Sequence, residues 1–220
     1  MKIASTSDWH YNPGDRFPIS YHLPEEVQRA DIIVLVGDML NFLPLGIKAW
    51  RDDMGRITIA SLHDMLAHHE AIYVFGNHEG KFSYLKEAVE GTHIKAVRDY
   101  TIYKKEGLND VCIHGHQLTP DWGILAPIAD DFVELAVKYF PQQWYNFCVK
   151  QNWLPSHYGN PVSYKLLLLY WFRWCMEAAK DNCNYIIGHS HHKAHIVTPE
   201  KEMPDVIDLG TGEWHLIETR

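Results

Sequence analysis

Histidine is concentrated in one short stretch of the sequence. Residues 188–195 read GHSHHKAH and hold four of the chain's 15 histidines. Depending on the fold around it, a histidine binds a metal ion, transfers a proton or lies at the surface as an ordinary polar residue. The stretch alone leaves these roles open, so its partners must be sought elsewhere in the chain.

Four more clusters of polar residues carry side chains that can ligate a metal ion. They read DWH from Asp8, GD at Asp38, GNHE with Asn77 and His78, and HGH from His114. In an extended segment, side chains two positions apart point the same way. The aspartate and histidine of DWH can therefore face one pocket, and so can the two outer residues of HSH.

The clusters lie at the ends of predicted strands. Each one follows a short apolar run, which is typical of a strand covered on both faces. The segments 24–30, 56–68 and 82–90 between these runs predict helices. Such an alternation predicts an α/β sheet, and ligands bind beyond the carboxyl ends of its strands, where the clusters lie.

Two later parts of the chain depart from this alternation. Residues 121–182 contain no apolar run that ends in glycine, and we expect helices at 124–140, 142–150 and 162–180. This segment is predicted to be a helical insertion within a single domain that spans residues 1–220. The apolar runs at 100–104, 194–197, 206–209 and 214–219 have no long helices between them and predict a second, more antiparallel sheet.

The composition disfavours several classes of protein. A hydrophobic content of 46% and a charged content of 22% are typical of a globular domain with a sizeable core. The net charge of −8 disfavours stable nucleic-acid binding, because that binding depends on cationic contacts to phosphate.

No secretory signal follows Met1, so we expect a cytoplasmic protein. The four cysteines, which lack CxxC spacing, are then predicted to be reduced thiols.

Taken in order, the five clusters resemble the motifs of the calcineurin-like metallophosphoesterase superfamily, which read DxH, GD, GNH(D/E), H and GHxH. The resemblance runs from Met1 to about Gly212. It implies an α/β fold in which a two-sheet β-sandwich is flanked by helices, and it implies two divalent metal ions. By the same resemblance, one ion is bound by Asp8, His10, Asp38 and His191, and the other by Asp38, Asn77, His114 and His189.

The resemblance also implies a reaction, the hydrolysis of a phosphodiester or pyrophosphate bond. A hydroxide that bridges the two ions attacks phosphorus in line with the leaving oxygen. His78 is not a ligand; as in the family, it faces the phosphate and either stabilises the transition state or protonates the leaving group. Mixed nitrogen and oxygen ligands suit Mn²⁺, Fe or Zn²⁺, and we expect Mn²⁺.

Two departures from related motifs reduce the number of activities that the sequence allows. Phosphoprotein phosphatases read GDxxDRG, whereas this chain has Asn41 in place of the second aspartate and lacks the arginine, which argues against a protein phosphatase. The layout resembles that of bacterial UDP-2,3-diacylglucosamine pyrophosphatases, which also carry a helical insertion between the fourth and fifth motifs. Those enzymes read GNRD where this chain has GNHE, so the resemblance implies their architecture and leaves the specific activity open.

Three residues are candidates for substrate contact. Arg16 lies in the long loop after DWH and could bind phosphate, Asn41 follows the GD motif, and His116 shares the extended side of His114. The insertion is rich in aromatic residues, and its segment 166–174 is apolar almost all round. Its rings form the insertion's own core, a groove for an apolar part of the substrate, or a contact with a second subunit or a membrane surface.

We therefore expect a metal-dependent phosphoesterase that acts on a small or lipid-linked phosphate compound. Among enzymes, the alternative is a nuclease or cyclic-nucleotide phosphodiesterase of the same superfamily. An alternative of another class is a non-catalytic protein-binding scaffold on the same fold. Such scaffolds tend to lack the GNH histidine, whereas His78 is present in this chain.

Overall fold

The structure is a computed structural model that describes residues 1–42, 47–119, 164–197 and 204–219, with isolated residues between 135 and 146. Ten strands form two five-stranded sheets in these ranges. The order in the first sheet is β10-β1-β2-β3-β4. Its strands are β1 (Lys2–Thr6), β2 (Ile32–Val36), β3 (Glu70–Val74), β4 (Ile94–Val97) and β10 (His215–Glu218).

The first four strands are parallel because a crossover segment follows each of the first three. These crossovers carry α1 (Glu25–Gln28), α2 (Asp53–Leu66) and α3 (Phe82–Ala88). The carboxylate of Asp52 caps α2 by accepting the backbone N–H of Gly55 at 3.0 Å. All five residues of β2 are buried, as expected for a central strand covered on both faces.

The second sheet contains the two later strands that lead to polar clusters. Its order is β5-β6-β7-β9-β8, with β6, β7 and β9 parallel and the two edge strands antiparallel. Two of the five polar clusters thus follow strands of this sheet, and the other three follow strands of the first sheet. The strands are β5 (Tyr100–Ile102), β6 (Asp110–Cys112), β7 (Asn184–Ile187), β8 (Lys193–Ile196) and β9 (Val206–Leu209).

Three apolar cores hold the layers together. The first lies between the first sheet and the helices α1 to α3, and the second lies between the two sheets. The third lies between the second sheet and α4 (Tyr164–Asp181), with Trp174 completely buried. The predicted α/β class, with a two-sheet sandwich flanked by helices, is confirmed by this arrangement.

The predicted strand at 214–219 lies in the first sheet, so its assignment to the second sheet was wrong. β10 pairs antiparallel with β1, and Ile217 lies opposite Ile3. Ile217 is the one buried residue of β10, as expected for an edge strand that shields a mostly buried neighbour. β4 was not predicted, because only Ile94 of its four residues is buried and the apolar signal is weak.

One of the three helices predicted for the insertion lies among the described residues. The helix expected at 162–180 corresponds to α4. The helices expected at 124–140 and 142–150 lie largely outside the described residues, as does Cys148, and the domain bounds stay a prediction. Three cysteines are free thiols: Cys112, Cys175 and Cys183. Among the described helices, none is both long and apolar enough to span a bilayer.

The core between the sheets should dominate stability. Ile72 is completely buried there, so Ile72→Ala should lower the free energy of unfolding by about 2–5 kcal/mol through lost burial and a residual cavity. Ile19 is 45% exposed, and Ile19→Ala should cost about 0.5 kcal/mol or less. Urea unfolding of both variants measures the difference, and equal losses would contradict the assigned core.

Candidate metal centre

The carboxyl ends of five strands from the two sheets meet at one edge of the sandwich. The first sheet contributes the clusters that follow β1, β2 and β3, and the second contributes those that follow β6 and β7. The backbone N–H of His189 donates to Oδ2 of Asp8 at 3.0 Å, which joins the last cluster directly to the first. Six of the seven predicted ligands are buried: Asp8, His10, Asp38, Asn77, His114 and His189.

A first group of ligand atoms gathers around the Asp8 carboxylate. Its Oδ1 lies 3.2 Å from Nε2 of His191 and 3.8 Å from Nε2 of His10. The same two ring nitrogens are 3.1 Å apart. Two ligands bound to one cation at ~2.0–2.2 Å lie about 3.0–3.6 Å from each other. The first group therefore has nearly the spacing of a mononuclear site.

A second group adjoins the first and contains Asp38, His114 and His189. Nε2 of His114 lies 3.4 Å from Oδ2 of Asp38 and also 3.4 Å from Oδ1 of Asp8, so it stands between the two groups. In each group the candidate atoms are all within 4.8 Å of one another, and the same holds for Asp38 with His10 and His78. Asp38 is thus positioned to be shared between two sites.

Two buried polar atoms at the cluster lack a hydrogen-bond partner among the described residues. They are Oδ1 of Asn77 and Nε2 of His189, and both are shielded from solvent. Such orphaned atoms are rare in folded proteins and require a compensating ligand. Carboxylate, amide and imidazole groups are all donors that a divalent transition metal accepts. The residues therefore fit the metal ions implied by the sequence.

The backbone around the candidate ligands is strained. Outside glycine, six described residues adopt a left-handed conformation, and only Asn182 is not a candidate ligand. The other five are Asp8, His10, Asp38, His189 and His191, with φ between 52° and 75°. Strain of this kind concentrates at functional sites, where the surrounding structure enforces it. The sequence analysis had assumed an extended backbone to explain how paired ligands face one pocket. These residues are left-handed instead.

Two motif glycines let the loops approach closely. A Cβ at Gly37, where φ is +79°, would overlap the imidazole ring of His114. A Cβ at Gly76 would overlap the carboxylate and backbone nitrogen of Asp38. The GD and GNHE motifs therefore require glycine because the ligands of neighbouring strands pack directly on its backbone.

Burial and mutual charge shift the pKa values of the cluster. Burial, reinforced by the Glu79 and Asp8 carboxylates, raises the pKa of Asp38 to about 8. Burial acts to lower the pKa of His114, but the Asp38 and Asp8 carboxylates raise it to about 9. The cluster thus favours positive charge between its carboxylates, and bound divalent cations satisfy the same requirement.

Glu79 organises the loops although the sequence interpretation gave it no role. Its carboxylate is completely buried and accepts four hydrogen bonds. The donors are the backbone N–H groups of Gly76 at 2.7 Å, Asp38 at 3.0 Å and Leu40 at 3.2 Å, and the hydroxyl of Tyr73 at 2.6 Å. Glu79 therefore ties the GD loop to the GNHE loop. Its place in the GNHE motif was the available signal.

His78 is oriented by a chain of two asparagines. Nδ1 of His78 lies 2.7 Å from Oδ1 of Asn41, and Nδ2 of Asn41 donates to Oδ1 of Asn12 at 3.1 Å. Because the Asn41 amide nitrogen faces Asn12, its oxygen faces His78 and accepts the Nδ1 proton. Asn41 is 1% exposed and lies behind His78, although it was predicted to contact substrate.

The other two predicted substrate contacts have different positions. His116 is buried, and its Nδ1 lies 3.1 Å from Nδ1 of His114, so it supports that candidate ligand from behind. Arg16 is exposed, and no hydrogen bond or ion pair links it to another described residue. The structure thus brings His116 to the cluster, whereas the phosphate contact of Arg16 stays a prediction.

Helix α4 braces the metal loops with aromatic side chains. The Tyr170 ring stacks on His189 with a centroid distance of 5.6 Å, and Nε1 of Trp174 donates to the carbonyl of Gly115 at 3.3 Å. Both belong to the core that α4 forms with the second sheet, whereas Phe172 is 65% exposed. The described aromatic residues of this segment therefore divide between a shared core and the surface.

A two-sheet α/β sandwich with buried carboxylates and imidazoles at the edge where both sheets end is typical of metal-dependent hydrolases. The sequence model of the calcineurin-like phosphoesterase domain matches residues 1–193. The chain therefore belongs to the calcineurin-like phosphoesterase family and is a metal-dependent phosphoesterase. No curated protein sequence matches it significantly.

Two solved structures are similar to this chain over most of its length. One is an uncharacterised protein of Streptococcus pneumoniae, described as a predicted phosphoesterase, with 12% identity and a TM-score of 0.38 over 96% of this chain and 72% of that one. The other is a protein of unknown function from Aquifex aeolicus, with 14% identity and a TM-score of 0.34 over 95% of this chain and 89% of that one. Neither similarity informs on function.

Replacement of the Glu79 carboxylate should loosen the centre. In Glu79→Gln, an amide NH₂ faces groups that are themselves donors, and the unmade hydrogen bonds should cost about 1–3 kcal/mol of unfolding free energy. Glu87 is the matched control, because it is exposed and its ion pair with Arg51 contributes little. Urea unfolding in the presence of a chelator measures both variants. A Glu79→Gln protein as stable as Glu87→Gln would rule out the bracing role.

Proposed function

We propose that this protein hydrolyses a phosphodiester or pyrophosphate bond in a small or lipid-linked compound with two divalent metal ions. The observation that carries the proposal is the pair of adjoining ligand groups, in which Asp38 of the second group also lies close to His10 of the first. A single group would support one cation, whereas two adjoining groups with a carboxylate within reach of both are typical of binuclear hydrolytic sites.

The proposed ligand sets follow the two groups. One ion would be held by Asp8, His10, Asp38 and His191, and the other by Asp38, Asn77, His114 and His189. When bound, the ions supply Lewis acidity, which polarises the phosphate and lowers the pKa of a water molecule so that it becomes a nucleophile. We propose Mn²⁺, while Fe and Zn²⁺ suit the same ligands.

His78 is the proposed catalytic residue. Its ring lies 4.4 Å from that of His10, beside the first ligand group. Because Nδ1 is committed to Asn41, Nε2 is the atom left to meet the substrate. Burial, with repulsion from His191 and His114, lowers the pKa of His78 to about 3. A bound phosphate opposes this shift, so His78 can hold a proton at Nε2 and donate it to a phosphate or leaving-group oxygen.

The exposed surface of α4 favours a substrate that has an apolar portion. Four exposed side chains are apolar among those described on this helix: Leu168, Leu169, Phe172 and Met176. They share a helix with Tyr170, whose ring packs on His189, so an apolar surface is attached to an element of the centre. We propose that this surface contacts the acyl part of a lipid-linked substrate, a membrane surface or a second subunit.

A substrate panel tests the proposed class. UDP-diacylglucosamine, nucleotide pyrophosphates, cyclic nucleotides and single-stranded DNA would be compared with Mn²⁺-loaded protein by initial rates. The highest kcat/KM is expected for a pyrophosphate or a lipid-linked compound. Preferred cleavage of DNA or of cyclic nucleotides would instead support a nuclease or a cyclic-nucleotide phosphodiesterase.

Metal removal should abolish activity. Chelator-treated protein should not hydrolyse bis(p-nitrophenyl) phosphate, and added Mn²⁺ should restore the rate. Asp38→Asn should bind less Mn²⁺ and stay inactive, because the shared carboxylate loses its charge. Asp64→Asn, at a side chain that is 70% exposed, should recover fully. Mn²⁺ content by atomic absorption accompanies each rate, and full recovery of Asp38→Asn would exclude the proposed bridge.

Loss of His78 should separate turnover from metal binding. In His78→Ala, kcat should fall about 10²–10⁴-fold, the range expected for loss of a general acid. Mn²⁺ content should stay near that of the unsubstituted protein, because His78 is not a proposed ligand. His68→Ala, at an exposed histidine beyond α2, is the control. Full activity of His78→Ala would show that the assignment is wrong.

A further inference from the structure

Asp208 is a buried carboxylate outside the proposed ligand sets. It lies on β9 and is completely inaccessible to solvent. Its Oδ2 accepts hydrogen bonds from Nε1 of Trp171 at 3.0 Å and from the hydroxyl of Ser190. Its Oδ1 lies 3.5 Å from the backbone nitrogen of Gly210. In the described part of the chain no lysine or arginine pairs with it, so neutral donors alone hold it.

The contact with Ser190 reaches the metal loop at its centre. Ser190 is completely buried between His189 and His191, whose φ angles are 75° and 60°. The Ser190 oxygen also accepts the backbone N–H of His192 at 3.0 Å. One hydroxyl is therefore anchored on Asp208 and in turn anchors the backbone beyond the second histidine.

The contact with Trp171 comes from another layer of the molecule. Trp171 lies on α4 next to Tyr170, which stacks on His189. A single carboxylate oxygen thus joins α4, β9 and the loop after β7. We propose that Asp208 is a positioning residue that holds His189 and His191 in their left-handed conformations, and that Trp171 and Ser190 act through it.

The physical argument starts from the cost of the loop conformation. Each non-glycine residue in the left-handed region costs of order 1–3 kcal/mol, so two flanking histidines relax unless contacts hold them. A carboxylate is the strongest hydrogen-bond acceptor that a protein can place in a site without water. It can accept from two neutral donors at once. Burial of a carboxylate is expensive, and a packed apolar side chain at this position of β9 would be more favourable for stability alone. Packing therefore does not explain Asp208, whereas its hydrogen bond to the loop between the two histidines does.

The role rests on the proposed function, but its test is metal binding rather than turnover. Mn²⁺ would be titrated into metal-free protein and followed by the EPR signal of the free ion and by the spin-coupled signal of a bound pair. Trp171→Phe removes one N–H donor and Ser190→Ala removes one hydroxyl. Each should weaken Mn²⁺ affinity about 10–100-fold, the range for residues that orient ligands, and reduce the coupled signal.

Trp50→Phe is the matched control. Trp50 is also buried, but its Nε1 has no hydrogen-bond partner among the described residues, so the same substitution removes a donor that makes no hydrogen bond there. Its Mn²⁺ affinity should equal that of the unsubstituted protein. Asp208→Asn keeps the side-chain volume while it weakens the acceptor, and it should resemble Ser190→Ala.

A double variant tests whether the two donors act through one carboxylate. If they do, Trp171→Phe combined with Ser190→Ala should lose less affinity than the product of the two single losses. Losses that multiply, or variants that bind Mn²⁺ as the unsubstituted protein does, would overturn the positioning role. Failure of the unsubstituted protein to bind Mn²⁺ would instead overturn the proposed function. Circular dichroism in the presence of a chelator shows whether each variant is folded. The comparison of single and double losses of Mn²⁺ affinity uses only folded variants.

Discussion

The burial of acidic and imidazole side chains together is the constraint on which the rest of the structure depends. Asp8, Asp38 and Glu79 are all completely or almost completely removed from water. An isolated carboxylate in such a place is too costly to remain ionised, so each one requires donors or cations. Glu79 meets the requirement with four protein donors, whereas Asp8 and Asp38 face the imidazoles. Glu79 therefore stabilises the loops of the site, whereas Asp8 and Asp38 are available to metal ions.

The two sheets contribute different side chains to this buried cluster. The first sheet supplies the carboxylates and the loop glycines, and its parallel strands deliver them at one edge. The second sheet supplies His114, His189 and His191, together with the buried carboxylate of Asp208 and the packing of α4. Each of the two ligand groups combines residues of both sheets, because Asp8 and His10 meet His191, and Asp38 meets His114 and His189. The core between the sheets is therefore a condition for metal binding as well as for stability.

The sequence predicted the convergence of the ligands better than the contacts that hold them. Motif order and spacing led to six predicted ligands that the structure brings together, because each lies where an apolar run ends, and Asn77 stays a predicted ligand. The position of β10 could not be read in this way, since strand pairing depends on which edge of β1 is open. Asp208 gave only a weak signal as an acidic residue within an apolar run, and its partners Trp171 and Ser190 are distant in the chain. Asn41 was recognised as a departure, but only the amide chain to Asn12 shows how it orients His78.

The separation of the ligands along the chain has a consequence for how the protein is made. Asp8 and His189 are 181 residues apart in the sequence and yet share a hydrogen bond. At ~5–20 residues per second, a ribosome adds the last histidines about 9–36 s after the first aspartate. A nascent chain in that interval exposes half of a chelating site to the cell without the imidazoles that complete it. Metal binding at the complete cluster is therefore possible only after His189 and His191 have been synthesised.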